Sequence, residues 1–528
     1  MDWSRWLITH CFPAGVLLGQ QMIWEIPAAA YSGYNACSAF GDHDRDGYRD
    51  LLAYRSAGQG PVTQISVCIL SGRDGSQLHQ HMLFWGIDNP QWAGDFDSDG
   101  YDEYTWSSSF VIHVYSPRRG IELFNLLPPG PGMFGFAKEP RIDLDGDGLS
   151  DLLAATARSF DSSLYAYDHL GALRYVIPAS VHGWVIQSIA NVGDRDGDGG
   201  EDFLVGAIGG ARAEGGAFLY SGRTGTLLRF HPGLQAYDLL GGTVALAGDL
   251  DLDGVADYLA SNADSVASQR QVAVAWSGAD GSIIRVWQDP NFQLGSPVSA
   301  KFDADLDGIP DVLFACPGCQ PEQYVWGAVQ VISSRDGAIL HHTQQSRFPV
   351  QGDYGLFVAE LGVQPGSPHP VHALTFLDYG QGAGTIQAWR SEPRRSTLSG
   401  SACANLGTAM VPGFRSTPTG SRLQIANAPP GALAWCILGD GVATTTGGLS
   451  LPIGLDGFGF PGCSLLVPMD FVGAKTTGVS GIDRGYAAFD LPVLPATIGG
   501  RRFAVQWLVL DPATGLDVWT ARRDFWLR

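Results

Sequence analysis

After its first 21 residues the chain has no run of about 20 apolar residues, the length that lets a helix cross a membrane. No transmembrane segment is expected. Amphipathic helical stretches of useful length are missing too. Basic residues are scarce, with 32 Lys plus Arg against 53 Asp plus Glu, and they form no basic face. Nucleic acid is therefore disfavoured as a partner. Four soft ligands at zinc spacing are absent. The eight cysteines are Cys11, Cys37, Cys68, Cys316, Cys319, Cys403, Cys436 and Cys463. Cys316-Pro-Gly-Cys319 has redox spacing but does not head a helix in a βαβ unit, so a small disulfide or two free thiols is expected there. Cys403 and Cys463 are candidates to pair, leaving Cys436 buried and reduced.

What the chain has in abundance is one acidic nine-residue loop. It reads DHDRDGYRD from Asp42, DFDSDGYDE from Asp95, DLDGDGLSD from Asp143, DRDGDGGED from Asp194, DLDLDGVAD from Asp249 and DADLDGIPD from Asp303. Carboxylates hold positions 1, 3, 5 and 9, and glycine holds position 6. Alternate acids on a tight turn converge their oxygens on one point, and the glycine permits the turn. A hard cation with six to eight oxygen ligands, calcium above all, suits that cage.

The expected ligands are Asp42, Asp44, Asp46 and Asp50; Asp95, Asp97, Asp99 and Glu103; Asp143, Asp145, Asp147 and Asp151; Asp194, Asp196, Asp198 and Asp202; Asp249, Asp251, Asp253 and Asp257; and Asp303, Asp305, Asp307 and Asp311. The position-7 carbonyls of Tyr48, Tyr101, Leu149, Gly200, Val255 and Ile309 are expected to add an oxygen each. About six Ca2+ ions follow, one per loop. Positions 1, 3, 5 and 9 account for 24 of the 53 acids, and the remainder, 29 acids against 32 bases, is close to neutral. The acidity belongs to the loops. An EF-hand would need a bidentate Glu at position 12, where this chain has Ala53, Trp106, Ala154, Val205, Ala260 and Phe314.

Short apolar runs flank each loop, as in VIQSIANVG before Asp194 and FLVGA after Asp202. They read as buried strands. The first aspartates stand 48 to 55 residues apart, a period that suggests one propeller blade per repeat. A second signature recurs downstream: SGRDG from Ser71, SGRTG from Ser221, SGADG from Ser277 and SSRDG from Ser333, with SPRRG from Ser116 and DHLG from Asp168 as weaker forms. It reads as a hairpin turn between the third and fourth strands. A seventh unit follows in YGLFVAEL, VHALTF and GTIQAW, with GVQPGSPHP in place of the acidic loop. It has no fourth strand of its own. Ile23 to Ile26 is expected to supply one, pairing near Thr385 to Trp389 and leaving no blade edge open.

The strand, DxDxDGxxD loop, apolar strand and SGxxG turn together resemble the FG-GAP/VCBS repeats of integrin α-subunit propellers and of many secreted bacterial proteins. The resemblance covers roughly residues 22–392. It implies calcium loops on one face of a seven-bladed propeller, and since the family includes enzymes it leaves function open.

The fold class expected is all-β: a seven-bladed β-propeller over 22–392, a linker over 393–402 and a C-terminal β-sandwich over 403–528. The last region alternates apolar runs with Gly and Pro. Its GSAC, GFPGCSLLV and FAVQWLVLDPATG segments resemble a C-terminal module of secreted bacterial multidomain proteins. Residues 1–21 carry Arg5 and a short apolar stretch, suiting a signal or leader segment, although Pro13 and His10 interrupt it. Export follows, to a secreted, cell-surface or periplasmic location.

No catalytic residues are assigned. His341 and His342 alternate on an expected strand and point opposite ways. Asp102 and Glu201, at position 8 of their loops, are expected to point outward. Trp85, Trp92, Trp106 and Trp184 are candidates for sugar stacking. The function expected is an extracellular binding or adhesion module for a protein or glycan ligand, with calcium structural. The alternative is a secreted enzyme acting on polysaccharide with the propeller as platform.

Overall fold

The structure, a computed structural model, describes residues 21–27, 32–57, 64–83, 88–108, 111–127, 133–157, 162–178, 184–262, 271–289, 296–316, 328–344, 352–365, 370–378, 383–390, 396–399, 412–417, 420–426, 428–429, 431–440, 445–446, 449–451, 453–454, 464–465, 471–477, 486–492, 502–511, 516–519 and 522–526. Every helix or strand among them is a strand. They fall into two compact units, one of Gln21–Ala304 with Pro310–Ser391, the other built on Glu392–Arg528 and including Asp305–Ile309.

The first unit is a β-propeller of seven four-stranded antiparallel sheets. Sheet one comprises Ser32–Ala39, Leu51–Ala57, Gln64–Leu70 and Gln77–Leu83. Sheets two to six repeat the meander over 88–126, 133–177, 185–232, 240–289 and 296–344. Sheet seven joins Gly352–Val363, Pro370–Asp378 and Ala383–Arg390 to Gln21–Ile26 as its outer strand. Met22 pairs with Trp389, Glu25 with Gln387 and Ile26 with Ile386. Each first strand packs on the first strands of the sheets either side, so the seven close into a ring.

The apolar second strands follow from that ring. Leu51 and Ala53 pack toward sheet seven, beside Ala359, Val371 and Ala373. Leu52 faces the other way, among Phe40, Val67, Tyr104 and Tyr115 of sheets one and two. A strand buried on both faces needs an unbroken apolar run rather than an alternating one, and LLA supplies it. Trp24 belongs to the sheet seven–sheet one core, and its indole N–H donates to Gly72 O at 3.1 Å. Gln387 Nε2 donates to Glu25 Oε1 at 2.8 Å.

The second unit has a sheet in which Leu433–Asp440 lies between Phe471–Thr476 and Arg502–Asp511, and a three-stranded sheet of Pro412–Thr417, Gly420–Ile425 and Ala487–Pro492. Leu423 and Ile425 of the smaller sheet share one core with Cys436, Val505 and Trp507 of the larger. Cys37, Cys68 and Cys436 are buried free thiols. Burial pushes the Cys37 and Cys436 thiols up to about 12, which leaves both unreactive. The pairings considered for Cys319, Cys403 and Cys463 lie outside the described residues, as does Trp85.

Candidate metal centre

Each acidic loop joins the first strand of its sheet to the second, and its shape is written in hydrogen bonds to the backbone. In loop one, Asp42 Oδ1 accepts the Asp46 N–H at 3.0 Å and Oδ2 accepts the Gly47 N–H at 2.8 Å. Asp95, Asp143 and Asp249 repeat the pair with their own position-5 and position-6 amides. Asp194 accepts from Gly197 and Gly199. Position 5 then turns the chain again: its carboxylate accepts the position-7 N–H of Tyr48, Tyr101, Leu149, Gly200, Val255 and Ile309, at 2.8 to 3.0 Å.

The position-6 glycines all have φ between +80 and +92°, where a side chain is strained. Position 4 is left-handed too, and only Gly146 and Gly197 are glycine there. Arg45, Ser98, Leu252 and Leu306 hold φ between +58 and +61°.

The position-9 carboxylates anchor the loops. Asp50, Glu103, Asp151, Asp202 and Asp257 are completely buried and Asp311 nearly so. One oxygen of each accepts the position-2 amide, as in His43 N–H to Asp50 Oδ2 at 2.7 Å and Leu250 N–H to Asp257 Oδ2 at 2.6 Å. The other reaches the turn between strands three and four. Gly72, Gly222 and Gly278 donate their N–H to Asp50, Asp202 and Asp257 Oδ1 at 3.1, 2.9 and 2.8 Å. Ser334 donates to Asp311 Oδ1 at 3.2 Å. The turn lies so close that a Cβ on Gly72, Gly222 or Gly278 would fall 1.8 to 2.1 Å from the position-8 carbonyl oxygen.

The SG pair is thus the second half of the loop, not merely a hairpin. The two degenerate turns show the same logic. Pro117 has no N–H to give, and the buried Glu103 Oε1 has no hydrogen-bond partner. His169 stands where the glycine would be, and the buried Asp151 Oδ1 has no hydrogen-bond partner.

These anchors are dehydrated acids. Burial, with help from neighbouring carboxylates, pushes Asp50 and Asp151 up to about 7, Glu103 to about 8 and Asp257 to about 6, and raises Asp202. Such shifts mark carboxylates removed from water without an adequate positive charge. In five loops, three carboxylates bring oxygens within 4.8 Å of one another: Asp42, Asp44 and Asp50; Asp95, Asp97 and Asp99; Asp143, Asp145 and Asp151; Asp194, Asp196 and Asp202; Asp249, Asp251 and Asp257. An all-oxygen donor set of this density fits a hard divalent cation. Arginines give partial compensation at the rim: Arg119 Nε lies 3.0 Å from Asp97, Arg223 Nε 3.7 Å from Asp198, and Arg174 bonds Asp145. Pairs this exposed are each worth about 1 kcal/mol or less. None of these guanidiniums pairs with a position-9 acid.

Position 8 departs from expectation. Asp102 does not point outward; it lies against sheet one, where a Cβ on Gly41 would fall 1.7 Å from its Oδ2. Glu201 likewise turns back onto loop three, accepting the Asp143 N–H at 2.8 Å. Inter-sheet packing decides both orientations, and local spacing cannot show it. Of the other singled-out side chains, His341 is fully buried. Trp106 is mostly buried and stacks on His113 at 3.8 Å. Trp184 packs against Phe218 and Phe230, and Trp92 lies 3.9 Å beneath the Arg141 guanidinium. Among the described residues no helix is long and apolar enough to cross a membrane.

No family model matches the chain. A solved structure of BBS1N in complex with ARL6DN superposes with a TM-score of 0.42 at 12% identity, over 71% of this chain and 97% of that one. Among curated proteins, integrin alpha-V of Gallus gallus is 28% identical over 204 residues, which is 34% of this chain and 19% of that protein. The chain therefore spans about a fifth of this relative's length, and over that stretch it is similar to an integrin α subunit.

Proposed function

We propose that the protein is an extracellular, calcium-stabilised β-propeller that presents ligand-binding loops, with calcium in a structural role. The observation that carries the cation is the convergence of three carboxylates in each of five loops, a group that in four of them includes the buried position-9 acid. In the proposed sites, Asp42, Asp44, Asp46 and Asp50, with their counterparts through Asp303, Asp305, Asp307 and Asp311, hold one Ca2+ per loop. The position-7 carbonyls of Tyr48, Tyr101, Leu149, Gly200, Val255 and Ile309 complete the shell. The ion supplies positive charge to carboxylates that burial has stripped of water. The chain's part is to pre-shape each cage with Asx-type turns and to fix it to the SG turn. The acids at positions 1, 3, 5 and 9 of a loop are all assigned to the ion, and no separate base or nucleophile recurs beside them, so the reading is structural rather than catalytic.

Chelator-stripped protein reloaded with calcium should hold about six ions by metal analysis, and chelation should lower its melting temperature. Two ions or fewer would sink the reading.

The ligand surface is proposed at the opposite edge. Connections alternate between the two edges of a meander, so 209–215 and 233–239 of sheet four lie away from the acidic loop. They are strapped together: Tyr237 N–H donates to Arg212 O at 2.9 Å, and Leu239 N–H to Ala213 O at 3.1 Å. Ala213, Tyr237 and Leu239 all have φ between +50 and +63°, and Tyr237 is 66% exposed. An exposed aromatic held on strained backbone is the kind of feature that binding sites maintain. The proposed ligand is an extracellular protein or glycan, and the similarity to integrin alpha-V supports that class. Protein and glycan arrays probed with and without calcium would identify it. Tyr237→Ala should then weaken capture without changing the melting temperature, and unchanged capture would remove this edge from consideration.

A further inference from the structure

Loops three and four are not independent cages. Glu201, at position 8 of loop four, donates its N–H to Asp143 O at 2.7 Å and accepts the Asp143 N–H on Oε2 at 2.8 Å. Both backbone groups of the first residue of loop three are therefore held by one residue of the next sheet. The same Oε2 accepts Asn191 Nδ2 at 2.7 Å, and that amide also donates to Arg141 O at 3.0 Å. The loops touch backbone to backbone: a Cβ on Gly146 would fall 2.2 Å from Gly199 O, and one on Gly200 2.5 Å from Leu144 O. Arg223, in the turn of sheet four, spans both, donating Nη2 to Asp145 O at 2.8 Å while Nε lies 3.7 Å from Asp198. Position 8 does something different at other junctions, where Asp102 and Pro310 pack on Gly41 and Gly248.

We propose that Glu201 is a positioning residue that makes cation binding at loops three and four cooperative; this rests on the calcium reading above. A cation in loop four draws Asp202 into place, and Asp202 fixes its neighbour Glu201. Glu201 then holds the backbone of Asp143, whose side chain is position 1 of the other cage. Part of the ordering that loop three needs is complete before its own ion arrives, and linkage makes the effect equal in the other direction. A hydrogen bond to a charged acceptor of this kind corresponds to roughly tenfold in affinity.

The test uses the full chain, stripped with chelator and titrated with Ca2+, with amide hydrogen exchange followed separately in peptides covering each loop. In the parent protein loops three and four should become protected at the same calcium concentration. Asp196→Asn with Asp198→Asn, which disables site four, should raise the midpoint for loop three about tenfold. Glu201→Ala, which leaves all proposed ligands in place, should do the same and leave the loop-one midpoint unchanged. Glu201→Gln, which keeps an acceptor oxygen, should recover most of the effect. Should Glu201→Ala fail to fold, Arg223→Met cuts the second bridge and should also shift loop three. Calcium-dependent protection with a loop-three midpoint within twofold of the parent in these variants overturns the coupling alone. No calcium-dependent protection in any loop overturns the calcium reading and the coupling with it.

Discussion

Replacing Gly222 by alanine isolates the contact between turn and loop. An added Cβ would sit 1.8 Å from Glu201 O and 2.8 Å from Glu201 C. Both are backbone atoms, so no rotamer change relieves the overlap. Reaching ordinary contact requires the turn to retreat by about 1.5 Å. Gly222 N donates to Asp202 Oδ1 at 2.9 Å, and that retreat takes the bond beyond useful length. Sheet six already carries a side chain here, Ser334, and its bond to Asp311 is the longest of the four at 3.2 Å, so a turn can stand off in part. Overpacking of about 1–3 kcal/mol, with part of a hydrogen bond to a charged acceptor, worth about 1.5–3 kcal/mol, gives a loss near 3 kcal/mol. Gly148→Ala is the matched control, because its Cβ meets nothing within 4 Å and only its φ of +85° is strained. It should lose about 1 kcal/mol. Calorimetry in saturating calcium should place Gly222→Ala about 3–5 °C below Gly148→Ala. Equal melting temperatures for the two would refute the claim that the SG glycine exists to admit the loop.

Leu252 at position 4 holds φ +61°; in chemical denaturation Leu252→Val should lose about 1 kcal/mol and Leu252→Gly should be at least as stable as the parent, and the reverse order would be inconsistent with left-handed strain. His372 is pushed down to about 3 by burial, reinforced by the neighbouring His341 ring, from an ordinary 6.5. The folded state therefore declines a proton that the unfolded chain accepts, and stability present in full above pH 6.5 is lost as pH falls toward 3. Between pH 6.5 and 4.5 the loss is about 2 kcal/mol, and His372→Leu should abolish that component in urea titrations run beside the parent; parallel pH curves would exclude it. Trp24 bridges the ends of the ring, so Trp24→Ala should cost about 3–4 kcal/mol and raise amide exchange in sheets one and seven together, whereas a change confined to residues 21–27 would show that the strand is only appended.

Features encoded over a few residues were legible in the sequence. Acids at positions 1, 3, 5 and 9 with glycine at 6 define each loop because every Asx turn in it closes within five residues. The run Leu51-Leu52-Ala53 discloses burial on two faces before any partner is known. The strand at Gln21–Ile26 follows from counting, since sheet seven lacks a fourth strand of its own. What stayed hidden depends on residues brought together by the ring. Gly72 meets Arg49 O and Asp50 across 22 positions, and nothing in SGxxG alone distinguishes that contact from an ordinary tight turn. Glu201 reads as one more exposed acid until sheet three is placed beside it. Arg45 and Leu252 give no hint of positive φ, because the loop's hydrogen bonds impose a conformation that their own preference opposes. In the second unit no period exists to align strands, so the placement of Leu433–Asp440 between its neighbours could not be read.

The two edges of the propeller answer to different constraints. At the loop edge sheets one, four, five and six repeat a nine-residue loop and a short turn joined through one buried carboxylate, so a length change in either would break a bond made by the other. At the far edge the connection between second and third strands runs from two residues in sheet two, 109–110, to eleven in sheet six, 317–327. Loop-closure cost grows only slowly with length, so such variation leaves the sheets undisturbed. Loop-to-turn hydrogen bonds thus constrain one edge, while the length of the connections is free to vary at the other. Sheet seven fits the same argument. It has no acidic loop, yet Trp24 N–H and Gln364 Nε2 both donate to Gly72 O, so hydrogen bonds tie it to the turn of sheet one where the other sheets offer a cage of carboxylates.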